Sequence, residues 1–92
     1  MKSIIQTEKK CYVCETTQGL HKHHIFGASN RKHSEKFGLT VFLCPMHHNM
    51  SDEGVHFNRE LDLQLKKLAQ EYYEANYGDR VDFRETFGRN YL

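Results

Sequence analysis

The chain has little of what would place it in an oxidising compartment or a membrane. Its three cysteines are an odd number, so they cannot all close into internal disulfides, and the first 20 residues lack the apolar core of a secretory signal. Both absences lead to an expectation of a reducing cytoplasm. No apolar run approaches the roughly 18 residues of a membrane span, so no membrane partner is expected. A single proline and a charged fraction of 27% argue against a disordered, low-complexity chain. An excess of one charge is also missing. With a net charge of +1, any nucleic-acid contact has to come from a local basic patch and from metal. Nor is there an HExxH helix, which removes the usual basis for zinc-dependent attack on peptides.

What the chain has in quantity is histidine. Seven histidines and three cysteines occur in 92 residues, every one of them between Cys11 and His56. The length fits one domain, 1–92, of a size that often needs a staple because a small chain buries a modest share of its surface. The donors divide it into a metal-binding core over 11–58 and a C-terminal helical extension over 59–92. Residues 1–10 read as a loosely held arm or a short strand. The stretches LHKHHIF and GLTVFLC read as two strands of a hairpin, with Leu39–Leu43 the β-favouring run, joined by a long polar connection, ASNRKHSEK. Farther on the period changes. Leu61, Leu65, Leu68, Tyr72 and Ala75 lie on one helix face, with Asn58 as N-cap and Gly78 as stop. A last short helix is expected over Arg80–Phe87, ending at Gly88.

Cys11 and Cys14 form a CxxC pair, and Cys44 and His47 form a CxxH pair. Three thiolates and one imidazole suit tetrahedral Zn²⁺, and two intervening residues let a tight turn aim both side chains at one ion. Pro45 at the first helical position costs no needed hydrogen bond, so the CPMH turn should open a helix. A knuckle, a hairpin and a second knuckle opening a helix make a treble clef. His48 competes with His47 for the fourth place.

That zinc set does not use up the histidines. Two or three of His21, His23, His24, His33, His48 and His56 can form a second, open site, where a metal polarises phosphoryl oxygens and a neutral histidine takes a proton. On an ideal strand His23 and His24 face opposite sides, so both enter one site only if the strand end twists or bulges. The bland alternative is a row of exposed histidines on an edge strand.

The stretch HHIFGASNR, followed by LCPMHHN and then GVH, resembles the HNH endonuclease superfamily, and within it phage-encoded HNH proteins of the RecA-dependent nuclease Ref type. The likeness covers about residues 11–58. It implies an α+β fold, a small treble-clef zinc domain with a ββα-metal core and C-terminal helices. It further implies His24 as general base and His23, His48 and His56 as ligands of a catalytic Mg²⁺ or Mn²⁺. Cys11, Cys14, Cys44 and His47 would be the structural zinc set. The family's central asparagine has no counterpart in Leu39–Leu43, so Asn30 or His33 would fill that role from upstream. Hydrolysis of DNA would leave a 3′ hydroxyl and a 5′ phosphate, with Arg31, Lys32 and Lys36 as phosphate contacts. A recombinase or other DNA-processing protein is the kind of partner implied. The alternative is a non-catalytic zinc module of the same fold that docks on nucleic acid or on such a partner.

Overall fold

The computed structural model describes residues 2–48, 54–56 and 58–92. Asn49, the last residue of the LCPMHHN stretch, lies outside them. In chain order the elements are β1 (His21–His24), α1 (Arg31–Phe37, entered through a 3-10 turn, Ala28–Asn30), β2 (Thr40–Leu43), α2 (Pro45–His48), α3 (Arg59–Asn76) and α4 (Arg80–Phe87). The architecture is α+β: one two-stranded antiparallel sheet and helices packed around it. No helix among the described residues is long and apolar enough to cross a membrane.

The hairpin pairs His21 with Leu43, Lys22 with Phe42, His23 with Val41 and His24 with Thr40. Val41 and Leu43 are buried, so the alternation of a strand puts His21 and His23 on one side and His24 on the other. The polar connection expected between the strands is a helix. Its one buried residue is Ser34, whose hydroxyl donates to the Phe26 carbonyl (2.8 Å) and accepts from the Phe26 amide (3.0 Å). A helix that buries a single small polar side chain shows no apolar stripe, which is why periodicity misses it. Gly38 ends α1 in the left-handed region, φ 69°, and a Cβ there would lie 2.6 Å from the Lys2 carbonyl oxygen.

The described part of the N-terminal arm forms no strand, yet it is not loose. The Ile4 amide donates to the Gly38 carbonyl (2.9 Å), and Ser3 donates its hydroxyl to the Thr40 carbonyl. The outer edge of β2 is covered twice over: Gln6 Oε1 accepts from the Phe42 amide (2.8 Å), and the Tyr12 amide donates to the Phe42 carbonyl (2.8 Å). An open strand edge is thereby closed, and the CxxC turn is anchored against β2.

Both C-terminal helices begin at capping side chains, and α4 ends at Gly88 in the left-handed region (φ 83°), whereas the C-cap of α3 is Tyr77. Asn58 Oδ1 accepts from the Leu61 amide (3.1 Å), and Asp79 and Asp82 form a reciprocal capping box on α4. The buried face of α3 runs through Leu65, Ala69, Gln70 and Tyr73, with Leu61 and Tyr72 at its margins; Ala75, expected on that face, is exposed. The face turns toward Tyr73 because its ring meets Phe83 (5.4 Å), Phe87 (6.0 Å) and Phe37 (5.2 Å). Phe83 and Phe87 stack at i,i+4 with centroids 4.7 Å apart, and Phe26, just past β1, closes on Phe87 at 4.5 Å. Each such ring contributes about 1.5–3 kcal/mol by burial. Together they fix α3 and α4 against the end of the hairpin, beside the histidines.

Candidate metal centres

Cys11, Cys14, Cys44 and His47 bring one donor atom each to within 4.8 Å of one another. The Cys14 and Cys44 sulfurs are 3.7 Å apart, and His47 Nδ1 lies 3.1 Å from Cys44 Sγ and 3.8 Å from Cys11 Sγ. A tetrahedral ion with metal–sulfur bonds of about 2.3 Å has edges of roughly 3.8 Å, so the set matches the size of a zinc site closely. Burial alone would push the Cys11 thiol up, but backbone amides of Cys14, Cys44 and Val13 outweigh it and lower its pKa to about 6. That favours the thiolate a metal needs. The Cys3His cluster can therefore hold a metal such as zinc. Of the two adjacent histidines on α2, His47 joins the cysteines.

His48 turns the other way, into a second cluster with His23 and His56. Position follows from backbone pairing. The amides of Val55 and His56 donate to the carbonyls of His47 (2.8 Å) and His48 (3.2 Å), which returns His56 to the end of α2. His48 Nε2 and His56 Nε2 are 3.1 Å apart. His23 is 6% exposed, and its Nε2 has no hydrogen-bond partner among the described residues. A buried polar atom left so costs about 1–3 kcal/mol, and a metal ion accepting its lone pair removes that cost. Burial, followed by the charges of His48 and His56, lowers the His23 pKa to about 3, so the ring is neutral and ready to ligate. His48 is likewise lowered, by burial and then by His56 and His21. Three imidazole donors suit Zn²⁺, Fe²⁺ or Ni²⁺ better than Mg²⁺ or Mn²⁺, which prefer oxygen donors.

Two further residues complete the surroundings: His21, one of the six histidines from which the sequence allows a second site, and Glu35, which the sequence does not point to. His21, on the His23 side of β1, places Nδ1 3.0 Å from His48 Nδ1. A hydrogen bond there leaves His48 Nε2 for an ion, the usual arrangement around a ligating histidine. Glu35, from α1, places Oε2 2.7 Å from His24 Nε2 and also pairs with Lys22 Nζ at 2.9 Å. Glu35 stands eleven positions after His24, and only the unforeseen helix makes them neighbours.

The other expected residues are distributed as follows. Asn30 donates its side-chain amide to the Phe87 carbonyl (3.0 Å), and the His33 ring lies edge-on to Phe87 at 5.7 Å. The partner that accepts from His24 Nε2–H is the Glu35 carboxylate, and among the described residues neither Asn30 nor His33 takes that place. Arg31 and Lys32 are exposed and, with Lys22, His24 and Glu35, line an open recess of about 610 Å³. Lys36 lies apart, its ammonium 5.3 Å from the Phe37 ring centroid. On the other side of His24 is a cleft of about 470 Å³ that also takes in His23, His56, Asp62, Lys66 and Tyr91. His24 borders both hollows. No family model, curated protein or solved structure matches the chain.

Proposed function

We propose that the protein is a small metal-dependent endonuclease of the HNH type, hydrolysing phosphodiester bonds in DNA on a ββα-metal core held together by structural zinc. One observation carries this reading: two members of an open three-histidine cluster, His23 and His56, border the same cleft as a separate histidine, His24, which is held by a carboxylate. A structural role explains the Cys3His cluster. It does not explain a second set of donors, one of them buried with an unpartnered nitrogen, beside an oriented imidazole.

In this reading His23, His48 and His56 hold the divalent ion. When bound, the ion supplies polarisation of the phosphoryl oxygens and stabilisation of the departing 3′ oxygen. His24 takes the proton from the attacking water. Glu35 accepts a hydrogen bond from His24 Nε2–H, which fixes the ring and leaves Nδ1 as the basic nitrogen, as a carboxylate does for the base of a hydrolytic triad. Arg31 and Lys32 flank His24 in the adjoining recess and offer positive charge to the phosphate chain. The water oxygen becomes bonded to phosphorus as its proton passes to His24, the bond from phosphorus to the 3′ oxygen breaks with its electron pair leaving on that oxygen, which takes a proton from solvent, and a 5′ phosphate and a 3′ hydroxyl result.

The test is cleavage of single-stranded and supercoiled DNA by the purified protein with Mg²⁺, Mn²⁺ or Ni²⁺, beside His24→Ala at equal zinc content. The expected result is cutting by the parent and at least a hundredfold loss in the variant, within the usual range for removing a general base. If the parent cuts neither DNA with any ion, the nuclease reading fails, and a zinc module that docks on nucleic acid or on a recombination protein takes its place.

A further inference from the structure

The C-terminal extension does more than close the core. Asp62 and Lys66, one turn apart on α3, form a 2.8 Å ion pair in which both side chains are less than one-third exposed. A solvated helix pair of this kind is worth about 0.3–0.5 kcal/mol and explains nothing further. This pair, however, lines the cleft that contains His23, His24 and His56. Tyr91 forms the rest of that wall, its ring centroid 5.7 Å from Lys66 Nζ and 5.1 Å from Arg89 Cζ.

The tail is held there by a buried amide. Gln70 is fully buried, its Oε1 accepts from the Tyr91 amide (2.7 Å), and its Nε2 donates to Asn90 Oδ1 (2.7 Å) and Glu74 Oε2 (2.8 Å). A lysine serving only solubility would extend into water. Lys66 is instead held between a carboxylate and an aromatic ring, in a hollow that His23, His24 and His56 also line.

We propose that Lys66 is the anion-binding residue of this cleft: a subsite for a phosphate group next to the one that the three-histidine cluster faces, with Asp62 as the counter-ion that an incoming phosphate displaces. That the phosphate belongs to a nucleic-acid chain rests on the nuclease reading. The anion chemistry itself rests on the geometry of Asp62, Lys66 and Tyr91.

The experiment measures binding of a short fluorescent single-stranded DNA to the full chain with zinc and the second metal loaded. A His24→Ala background keeps the probe intact. Lys66→Met should weaken binding about tenfold and reduce the slope of log affinity against log salt by about 0.7, the value for one phosphate contact on a single strand. Lys66→Arg should bind like the background, and Asp62→Asn, which releases the lysine, should bind severalfold tighter. Lys66→Met with unchanged affinity and slope overturns the proposal, as does equal weakening by Lys66→Met and Asp62→Asn, the signature of a purely structural pair. Should Lys66→Met fail to fold, Asp62→Asn decides: tighter binding upholds the subsite, and unchanged or weaker binding overturns it. If the background binds no DNA, inorganic phosphate followed by ³¹P line width separates the two readings. Lys66-dependent phosphate binding keeps the subsite and removes nucleic acid as its source, whereas absence of phosphate binding overturns the subsite.

Discussion

At His23 a strand position that faces inward carries a titratable ring, and the consequences can be measured without any assay of activity. The side chain is almost wholly buried and its pKa is lowered to about 3, burial being the main cause. An unfolded chain holds this histidine near its ordinary value of about 6.5, so between the two values it binds a proton that the folded chain refuses. The stability this group contributes is therefore fully present above pH 6.5 and is lost as the pH falls toward 3, at up to about 1.4 kcal/mol per pH unit. With the second metal removed, the stability difference between parent and His23→Gln should shift by about 1.4 kcal/mol against the parent from pH 7.5 to 5.5, read from urea unfolding. A difference that stays constant across that range would mean the ring protonates freely in the fold and is not held as a neutral ligand.

At the scale of elements, the parts that announce themselves locally were legible and those that depend on distant partners were not. Asn58 and Gly88 carry their capping chemistry in the residue type, so the start of α3 and the end of α4 could be placed almost to the residue, whereas Gly78, the expected stop of α3, follows a C-cap at Tyr77 and is not left-handed. The two knuckles were legible for a similar reason: ligands two residues apart need only one turn to converge. Helix α1 was missed because it buries only Ser34, and with it went Glu35, the partner of His24. Gly38 was the one local sign of that helix. Its left-handed conformation and the Lys2 carbonyl behind it leave no room for a side chain. Gly38→Ala should therefore cost at least about 1 kcal/mol, measured by denaturant unfolding, and should loosen the arm that covers β2. A variant as stable as the parent would show that the end of α1 and the arm can shift without consequence, and that they do not fix the position of Glu35.

For the whole molecule, the adjacent residues His47 and His48 feed two different clusters, and the donor pattern of the sequence contained both sets without showing how they divide. The choice between His47 and His48 depends on which way each side chain leaves α2, and the return of His56 to the end of α2 depends on backbone pairing across a connection; neither is written in spacing. The same holds for the cleft wall made by Asp62, Lys66 and Tyr91, which the tail completes only through the buried Gln70. A chain of this size gains folding free energy from a structural metal, and apparent binding energies of about 10–16 kcal/mol for zinc in small domains exceed the usual stability of the domain itself. An open site of three imidazoles has no such role in folding and should exchange its ion. The division of labour between the two clusters is the central claim, and counting metals tests it most directly. Native mass spectrometry of the parent, His48→Ala and Cys44→Ser, with divalent ion titrated and then removed by a mild chelator, should give one zinc that survives chelation and one ion that does not. His48→Ala should lose only the exchangeable ion, and Cys44→Ser should lose the tight zinc together with the fold. A single tight zinc in the parent, with no further ion bound at any concentration tried, would contradict the account.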